Sequence, residues 1–156
     1  MSAFDAMEVG AAHAFGRYVI TREECLCFAA KFDPQPFHLT DDGAAASVFG
    51  RLVVSGWHTC AIASALLIGE WQGDQARYPK ILGGLGVNDL RWLVPVYPDD
   101  ILRMETSVLD KRVSGRDSSK GILTLGIKLL NQADAPVFTQ TTIMLVQSSQ
   151  AAPSEG

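Results

Sequence analysis

An uncharged segment in the middle of the chain, residues 55–69, reads SGWHTCAIASALLIG. Ser55 and Gly56 are both residues that commonly precede a helix. From Trp57 onward the residues are apolar or small on nearly every side, and a helix of that composition must be surrounded by protein. Its alanines and Ser64 would let another surface approach closely. The segment therefore predicts one long central helix that is buried.

Strand-like segments follow this helix. Four runs rich in β-branched and aliphatic residues occupy residues 85–92, 101–109, 122–130 and 137–146. The connections contain Pro, Gly, Asp and Asn, and they are short enough for antiparallel neighbours. The runs at 122–130 and 137–146 are long and apolar, so we expect them to form an exposed edge that invites pairing with another chain.

Shorter elements precede the central helix. A first strand is predicted over residues 14–20. Thr21 and Glu24 form a T-x-x-E capping box, which begins a helix that Pro34 must end. A loop is expected over residues 33–39.

A further short helix is expected between Thr40 and Gly50, because Thr40 can cap it and acidic residues in its first turn favour the helix dipole. An antiparallel sheet with one face on a buried helix is α+β layering. The order of elements therefore predicts an α+β fold, a hotdog-like antiparallel sheet of about five strands wrapped around one long central helix, with short helices before it.

The composition is that of one folded domain. The chain has 156 residues, of which 47% are hydrophobic and 19% charged. These fractions supply enough apolar side chains for a core and too few charges for a disordered protein. No repeat or long linker divides the sequence. We expect a single domain over residues 10–148, with flexible ends at residues 1–9 and 149–156.

Charge and motifs disfavour several classes of function. The net charge is −4, from 13 basic and 17 acidic residues. The sequence lacks the cluster of basic residues that a nucleic-acid-binding protein usually has, so no nucleic-acid partner is expected. The start of the chain does not resemble a secretory signal, and the longest uncharged stretch, residues 52–69, is barely long enough to cross a bilayer, so we expect a cytoplasmic protein without a membrane partner. The three cysteines show neither a disulfide framework nor a zinc pattern, and no nucleotide-binding motif occurs. We therefore expect no metal and no cofactor.

The segment FDPQPFH, residues 32–38, carries the most informative chemistry. Pro34 and Pro36 stiffen a loop that holds Asp33 and His38 five residues apart, so the loop can direct both side chains at one point. A carboxylate and an imidazole that share one water are what the addition of water to a double bond, or its removal, requires. The other interpretation is that Asp33 only ends the helix and His38 is a surface residue. Spacing alone leaves both interpretations open.

This loop resembles the signature of a known family. Asp33-x-x-Pro36-x-His38, followed by Ala44, is similar to the D-x-N-P-[ILV]-H-x5-[AS] pattern of the MaoC-like dehydratases, or (R)-specific enoyl-CoA hydratases, which have the hotdog fold.

Two later segments extend the resemblance. Residues 50–56, GRLVVSG, are similar to the family's entry into the central helix, and residues 90–100 are similar to its next strand and turn. The likeness covers about residues 14–146.

The resemblance also implies the site residues. In the family an Asp and a His bind the catalytic water, and a backbone N–H at the helix start polarises the thioester carbonyl. The matching positions are Asp33, His38 and Gly56. The start of a helix suits this role, because its N–H groups are unpaired and its dipole favours an oxygen that gains negative charge. The other interpretation is that Ser55 and Gly56 only cap the helix. Where the local φ is compatible, proline is tolerated in a first helical turn, and Gly56→Pro is then expected to fold with little change in stability.

The activity implied by the resemblance is the reversible hydration of a trans-2-enoyl-CoA, or of a related thioester on acyl carrier protein, to the (R)-3-hydroxyacyl thioester. Such a reaction belongs to fatty acid metabolism and needs no cofactor. An exposed sheet edge predicts in addition a homodimer or a dimer-based oligomer.

Departures from the family pattern keep two alternatives open. Gln35 replaces Asn, Phe37 replaces an aliphatic residue, and Lys31-Phe32 replaces a small residue and Gly before the acid. Gln retains an amide but moves it by one bond. The alternatives are a hotdog acyl-CoA thioesterase and a non-catalytic subunit that binds acyl thioesters or takes part in assembly.

Overall fold

The computed structural model describes residues 1–149. Within that part of the chain the helices are α1 (Ala3–Ala6), α2 (Arg22–Phe32), α3 (Pro36–Leu39), α4 (Asp41–Ala45) and α5 (Gly56–Gly73). The strands are β1 (Ala12–Val19), β2 (Ile81–Trp92), β3 (Ile101–Val113), β4 (Lys120–Leu130) and β5 (Pro136–Gln147). The flexible end predicted for residues 149–156 lies, apart from Ser149, outside the described residues.

The 5 strands form one antiparallel sheet in the order β1-β3-β4-β5-β2. One face of this sheet packs on α5: Ile62, Leu67 and Trp71 of the helix join the same hydrophobic cluster as Met104 of β3 and Leu125 of β4. The α+β hotdog architecture expected from the sequence is therefore confirmed.

The free edges of the sheet are β1 and β2. The expectation that residues 122–130 and 137–146 form an exposed edge is wrong, because β4 and β5 lie between β3 and β2. The reason is topological. The connection from β2 to β3 crosses to the far side of the sheet, so β2 pairs with β5 and not with the strand that follows it. The length and hydropathy of a strand do not reveal which neighbour it takes.

One side of α5 remains open in the single chain. Ile62 and Leu67 on its inner side are 2% and 4% exposed, whereas Trp57 is 56% exposed. Ala61 and Ala65 are also exposed. The all-round burial that the sequence predicts is thus incomplete, since one sheet covers only one side of a helix. None of the helices in residues 1–149 combines the length and the hydropathy needed to span a membrane.

The segment 33–39, expected to be a loop, contains one helical turn. α3 begins at Pro36, whose fixed φ suits the first position of a helix. α4 follows at once, and its N-cap Thr40 accepts a hydrogen bond from the N–H of Gly43 at 3.0 Å. The chain between α2 and α5 is therefore a series of tight turns.

The sequence predicts a flexible end over residues 1–9, whereas the structure has α1 there. Phe4 is 2% exposed and lies so close to Gly121 that a Cβ at that glycine would be 2.5 Å from the Phe4 ring. Lys111 Nζ donates hydrogen bonds to the carbonyl oxygens of Phe4 and Asp5, at 3.0 and 2.9 Å. One buried aromatic ring orders a segment whose polar composition gives no sign of it.

We predict that Phe4→Ala lowers the free energy of unfolding by about 3 kcal/mol, the usual loss when a buried aromatic ring is removed. Urea unfolding followed by circular dichroism, at one fixed protein concentration, measures this. Val9→Ala is the matched control, because Val9 is 58% exposed and its loss should change the free energy by less than about 0.5 kcal/mol. Equal effects of the two substitutions would show that α1 does not contribute to the folded core.

Candidate active site

Asp33 lies at the point where α2 ends. Its N–H donates to the carbonyl of Ala29 at 2.9 Å, and Pro34 prevents the helix from continuing. The backbone of Gln35 then closes the turn: its N–H donates to the carbonyl of Asp33 at 2.8 Å, and its carbonyl accepts from the N–H of His38 at 2.9 Å. These bonds fold the acid and the imidazole back toward each other.

The side chains of Asp33 and His38 meet at one wall of a cleft. Asp33 Oδ2 and His38 Nε2 are 3.3 Å apart. The imidazole is buried and the carboxylate is partly exposed. The structure thus places together the two residues that the sequence selects, at a separation over which they can share a proton or bind one water.

The hydrogen-bond partner of the other ring nitrogen fixes the orientation of the His38 ring. Nδ1 is 2.7 Å from the carbonyl oxygen of Val53. A carbonyl oxygen can only accept, so Nδ1 carries the hydrogen and donates it. Nε2 is therefore the ring nitrogen that faces Asp33, as an acceptor in the neutral ring and as a second donor when the ring is protonated. The two side chains thus present adjacent polar atoms at one wall of the cleft, where both can contact a molecule bound in it.

Ser55 is a second partner of Asp33. Its hydroxyl donates to Asp33 Oδ2 at 2.7 Å, and Ser55 is 1% exposed. From the sequence Ser55 is expected only to cap the helix, and this contact is not predicted. The two residues are 22 positions apart, and no local pattern links them.

Gly56 lies at the start of α5, where the first N–H groups of a helix have no partner within the helix. Backbone bonding at this end begins with the N–H of Thr59, which donates to the carbonyl of Ser55 at 3.1 Å. Trp92 lies directly over Gly56: its Nε1 donates to the Gly56 carbonyl at 2.9 Å, and a Cβ on residue 56 would be 2.5 Å from its ring. Any side chain at residue 56, including the proline expected to change stability little, must therefore displace Trp92.

The cleft that holds these groups has a volume of about 360 Å³. Its polar groups are few and lie together, at Asp33, His38 and the start of α5. The rest of the lining is apolar or aromatic, and it includes Phe37, Phe49, Val53, Val54, Trp57, Trp92, Leu93, Val94, Pro95, Val96 and Val137. Clefts of this size and lining are typical of small-molecule sites.

The structure shows where two of the residues that depart from the family pattern lie. Phe37 lines the cleft and contacts the His38 ring edge-on, with ring centroids 4.5 Å apart. It therefore both packs the loop and narrows the cleft. The Gln35 side chain is exposed and makes no cap hydrogen bond within the described chain, so only its backbone ties the loop together.

The other two histidines lie outside the cleft lining. His58 is buried under α2, stacked on Phe28 with ring centroids 4.7 Å apart, and its Nε2 is 3.5 Å from Glu24 Oε1. Burial lowers the pKa of His58, and the Glu24 carboxylate opposes this with a smaller effect. His13 lies beside Arg77 near the surface. In residues 1–149 no group of three or more His, Cys, Asp or Glu side chains is arranged to hold a metal ion.

We predict that Gly56→Ala lowers the free energy of unfolding by about 1–3 kcal/mol, the usual effect of overpacking. In a Trp92→Ala background the same substitution should be neutral or stabilising, because alanine favours a helix over glycine. Thermal and urea unfolding of the four proteins in this cycle measure the coupling.

Gly73→Ala in the last turn of α5 is the control, because a Cβ there meets nothing within 4 Å in the described chain. This substitution should not destabilise. An equal loss from Gly56→Ala with and without Trp92 would contradict the contact.

Comparison with known proteins gives a family. The family model described as MaoC like domain matches residues 7–129. The uncharacterized protein YdeM of Bacillus subtilis (strain 168) is 33% identical over 129 residues, which are 82% of this chain and 86% of that protein.

Solved structures agree with this result. The MaoC-like dehydratase from Rhodospirillum rubrum is 33% identical, with a TM-score of 0.81, over 94% of this chain and 97% of that chain. An (R)-hydratase from A. caviae involved in PHA biosynthesis is 26% identical, with a TM-score of 0.63, over 89% of this chain and 96% of that chain. A family model that matches most of the sequence, together with relatives at this identity, shows that the chain belongs to the MaoC-like family.

Proposed function

We propose that this protein catalyses the reversible hydration of a trans-2-enoyl-CoA, or of a related enoyl thioester, to the (R)-3-hydroxyacyl thioester. The observation that carries the proposal is that Asp33, His38 and the start of α5 line one cleft. An acid/base pair and an oxyanion site are both needed for this reaction, and the relation to an (R)-hydratase supports the reaction and its stereochemistry.

Asp33 and His38 bind the reacting water together in this proposal, from adjacent positions on one wall of the cleft. Because Nδ1 of His38 is committed to the carbonyl of Val53, Nε2 is the ring nitrogen free to accept a proton. One member of the pair removes a proton from the water as its oxygen bonds to C3, and the pair returns a proton to C2. The hydrogen and hydroxyl of one water are thereby added across the double bond, and no cofactor takes part.

The start of α5 stabilises the charge that develops on the thioester. As oxygen adds to C3, electron density moves through the double bond to the thioester carbonyl, which takes on enolate character. The N–H of Gly56 and the positive end of the helix dipole are in place before the reaction, so they need no reorganisation when this charge appears.

The apolar lining of the cleft suits an acyl chain. Phe37 and Phe49 are packed together on one side, with ring centroids 5.2 Å apart, and Trp57 and Trp92 lie 5.1 Å apart on another. The acyl group would lie among these rings, with the carrier, CoA or acyl carrier protein, outside the cleft. A role in fatty acid metabolism follows from this substrate class.

We also propose that the protein is a homodimer in which a second copy covers the open side of α5 and the free edge of β2. Trp57 on α5 and Leu85 and Val87 on β2 are about half exposed in the single chain. An edge strand has unpaired backbone groups, and here it lies next to exposed apolar side chains. Symmetric association with a second copy would cover both. The cytoplasmic location expected from the sequence stays a prediction.

We predict that Asp33→Asn and His38→Ala each lower kcat/KM for crotonyl-CoA hydration by about a hundredfold or more, the contribution of a positioned acid or base. Loss of the enoyl absorbance measures hydration, and a thiol reagent measures free CoA in the same samples. Asp42→Asn and His13→Ala are matched controls, because neither residue lines the cleft, and both should retain full activity.

Each outcome of this assay favours one function. Release of CoA at a rate that matches the loss of enoyl substrate would favour the thioesterase. Binding of enoyl-CoA without turnover would favour a non-catalytic subunit. Hydration that survives both substitutions would remove Asp33 and His38 from the mechanism.

We predict a dimer in sedimentation velocity at micromolar concentration, and its conversion to monomer by Leu85→Glu, which places a charge on the exposed face of β2. Val113→Glu is the control, because Val113 is 50% exposed at the far end of β3. A monomeric wild-type protein, or a dimer insensitive to Leu85→Glu, would contradict the proposed interface.

A further inference from the structure

Ser55 differs from the other hydroxyl residues that precede helices in this chain. Ser2, Thr21 and Thr40 each accept a hydrogen bond from the backbone N–H three residues later, at 3.1, 3.2 and 3.0 Å. Ser55 is the N-cap of α5, yet its side chain makes no such bond within residues 1–149. Its hydroxyl donates to Asp33 instead. The usual capping function of this serine is therefore not used.

The hydrogen bond from Ser55 to Asp33, made in place of a capping bond, has two consequences at the candidate site. The N–H groups in the first turn of α5 stay without a side-chain acceptor from Ser55, so they are available to an oxygen of the substrate. The second consequence concerns Asp33. This residue ends one helix and is followed by proline, and the bond to Ser55 restricts the rotation of its side chain.

The bond also connects parts of the site that come from different elements. Asp33 comes from the end of α2, whereas Ser55 is joined by one peptide bond to Gly56, the first residue of α5. A peptide bond is planar and rigid, so the position of the Ser55 backbone and that of the Gly56 N–H are fixed relative to each other. The acid is thereby held at a set distance from the oxyanion donor.

We infer that Ser55 is a positioning residue, which holds the carboxylate of Asp33 in register with the start of α5. This inference rests on the proposed hydration reaction and adds a residue to it. Ser55 does not touch the substrate in this account: it acts through Asp33. Replacement of Ser55 should therefore lower kcat, with smaller changes in KM and in the melting temperature.

The test is Ser55→Ala, assayed with crotonyl-CoA. We expect kcat to fall about ten- to a hundredfold, as for the loss of a hydrogen bond to a charged group, and KM to change by less than about threefold. Ser55→Cys should behave like Ser55→Ala, because a thiol has nearly the shape of the hydroxyl group but is a weak donor. Full activity of the cysteine variant would show that packing, and not the hydrogen bond, is the role of Ser55.

Thr21→Ala is the matched control for helix capping. Thr21 caps α2 through its side chain and is exposed. Its removal should lower the melting temperature while kcat is unchanged, whereas Ser55→Ala should lower kcat with a smaller change in melting temperature. The opposite pattern would mean that Ser55 serves stability only, and would overturn the inference.

A double-mutant cycle with Asp33→Asn decides whether Ser55 acts through Asp33. In that background Ser55→Ala should change kcat by less than about twofold, because the carboxylate that it positions is already lost. Fully additive losses would overturn the inference while leaving the hydration reaction in place. A wild-type protein that does not hydrate any enoyl thioester would instead overturn the proposed function, and with it the role of Ser55.

Discussion

The packing of α5 on the inner face of the sheet is the interaction on which the rest of the molecule depends. Leu67 and Trp71 are nearly fully buried there, and each side chain of this size contributes about 2–3 kcal/mol through burial. The helix can lie in only one position if these residues are to reach the core. Its first residue, Gly56, is therefore held at the cleft by side chains several turns away. A site built on the end of a well-packed helix needs no further element to place its backbone donors.

Asp33 and His38 are positioned at the same cleft in a different way, by local backbone geometry. Asp33 and His38 belong to a short stretch with almost no core of its own, and backbone geometry places them. Pro34 ends α2 and Pro36 begins α3, while the peptide groups of Gln35 bond to the residues on both sides. Position 35 contributes through its main chain, so the exchange of Asn for Gln leaves the turn intact. Contacts from Ser55 and the carbonyl of Val53 then hold the two side chains against the entrance to α5.

Part of this arrangement can be predicted from short stretches of sequence. The rest depends on contacts between residues that are far apart in the chain. Helix starts, proline breaks and alternating strands are local features, so the sequence predicts the central helix, α2 and the five strands and draws attention to Asp33 and His38, whereas Gly56 is selected through the family resemblance. The family resemblance supplies the meaning of their spacing. The edges of the sheet, the burial of Phe4 and the contact of Trp92 with Gly56 each depend on residues far apart in the chain. No pattern within a short window contains that information, which is why local sequence mispredicts or misses these features.

The open side of α5 and the cleft are not independent surfaces. Trp57 and Trp92 line the cleft, and both are about half exposed in the single chain. They pack edge to face, and Trp92 also holds the carbonyl of Gly56. Whatever covers the open side of α5 must therefore contact rings that also form the wall of the cleft. In the proposed dimer the second copy would shield these rings from water and restrict their motion, which would make the apolar part of the cleft drier and the oxyanion donor more rigid. In the proposed mechanism electrostatic stabilisation at Gly56 would strengthen as water is excluded, so association and catalysis would be linked through the two tryptophans.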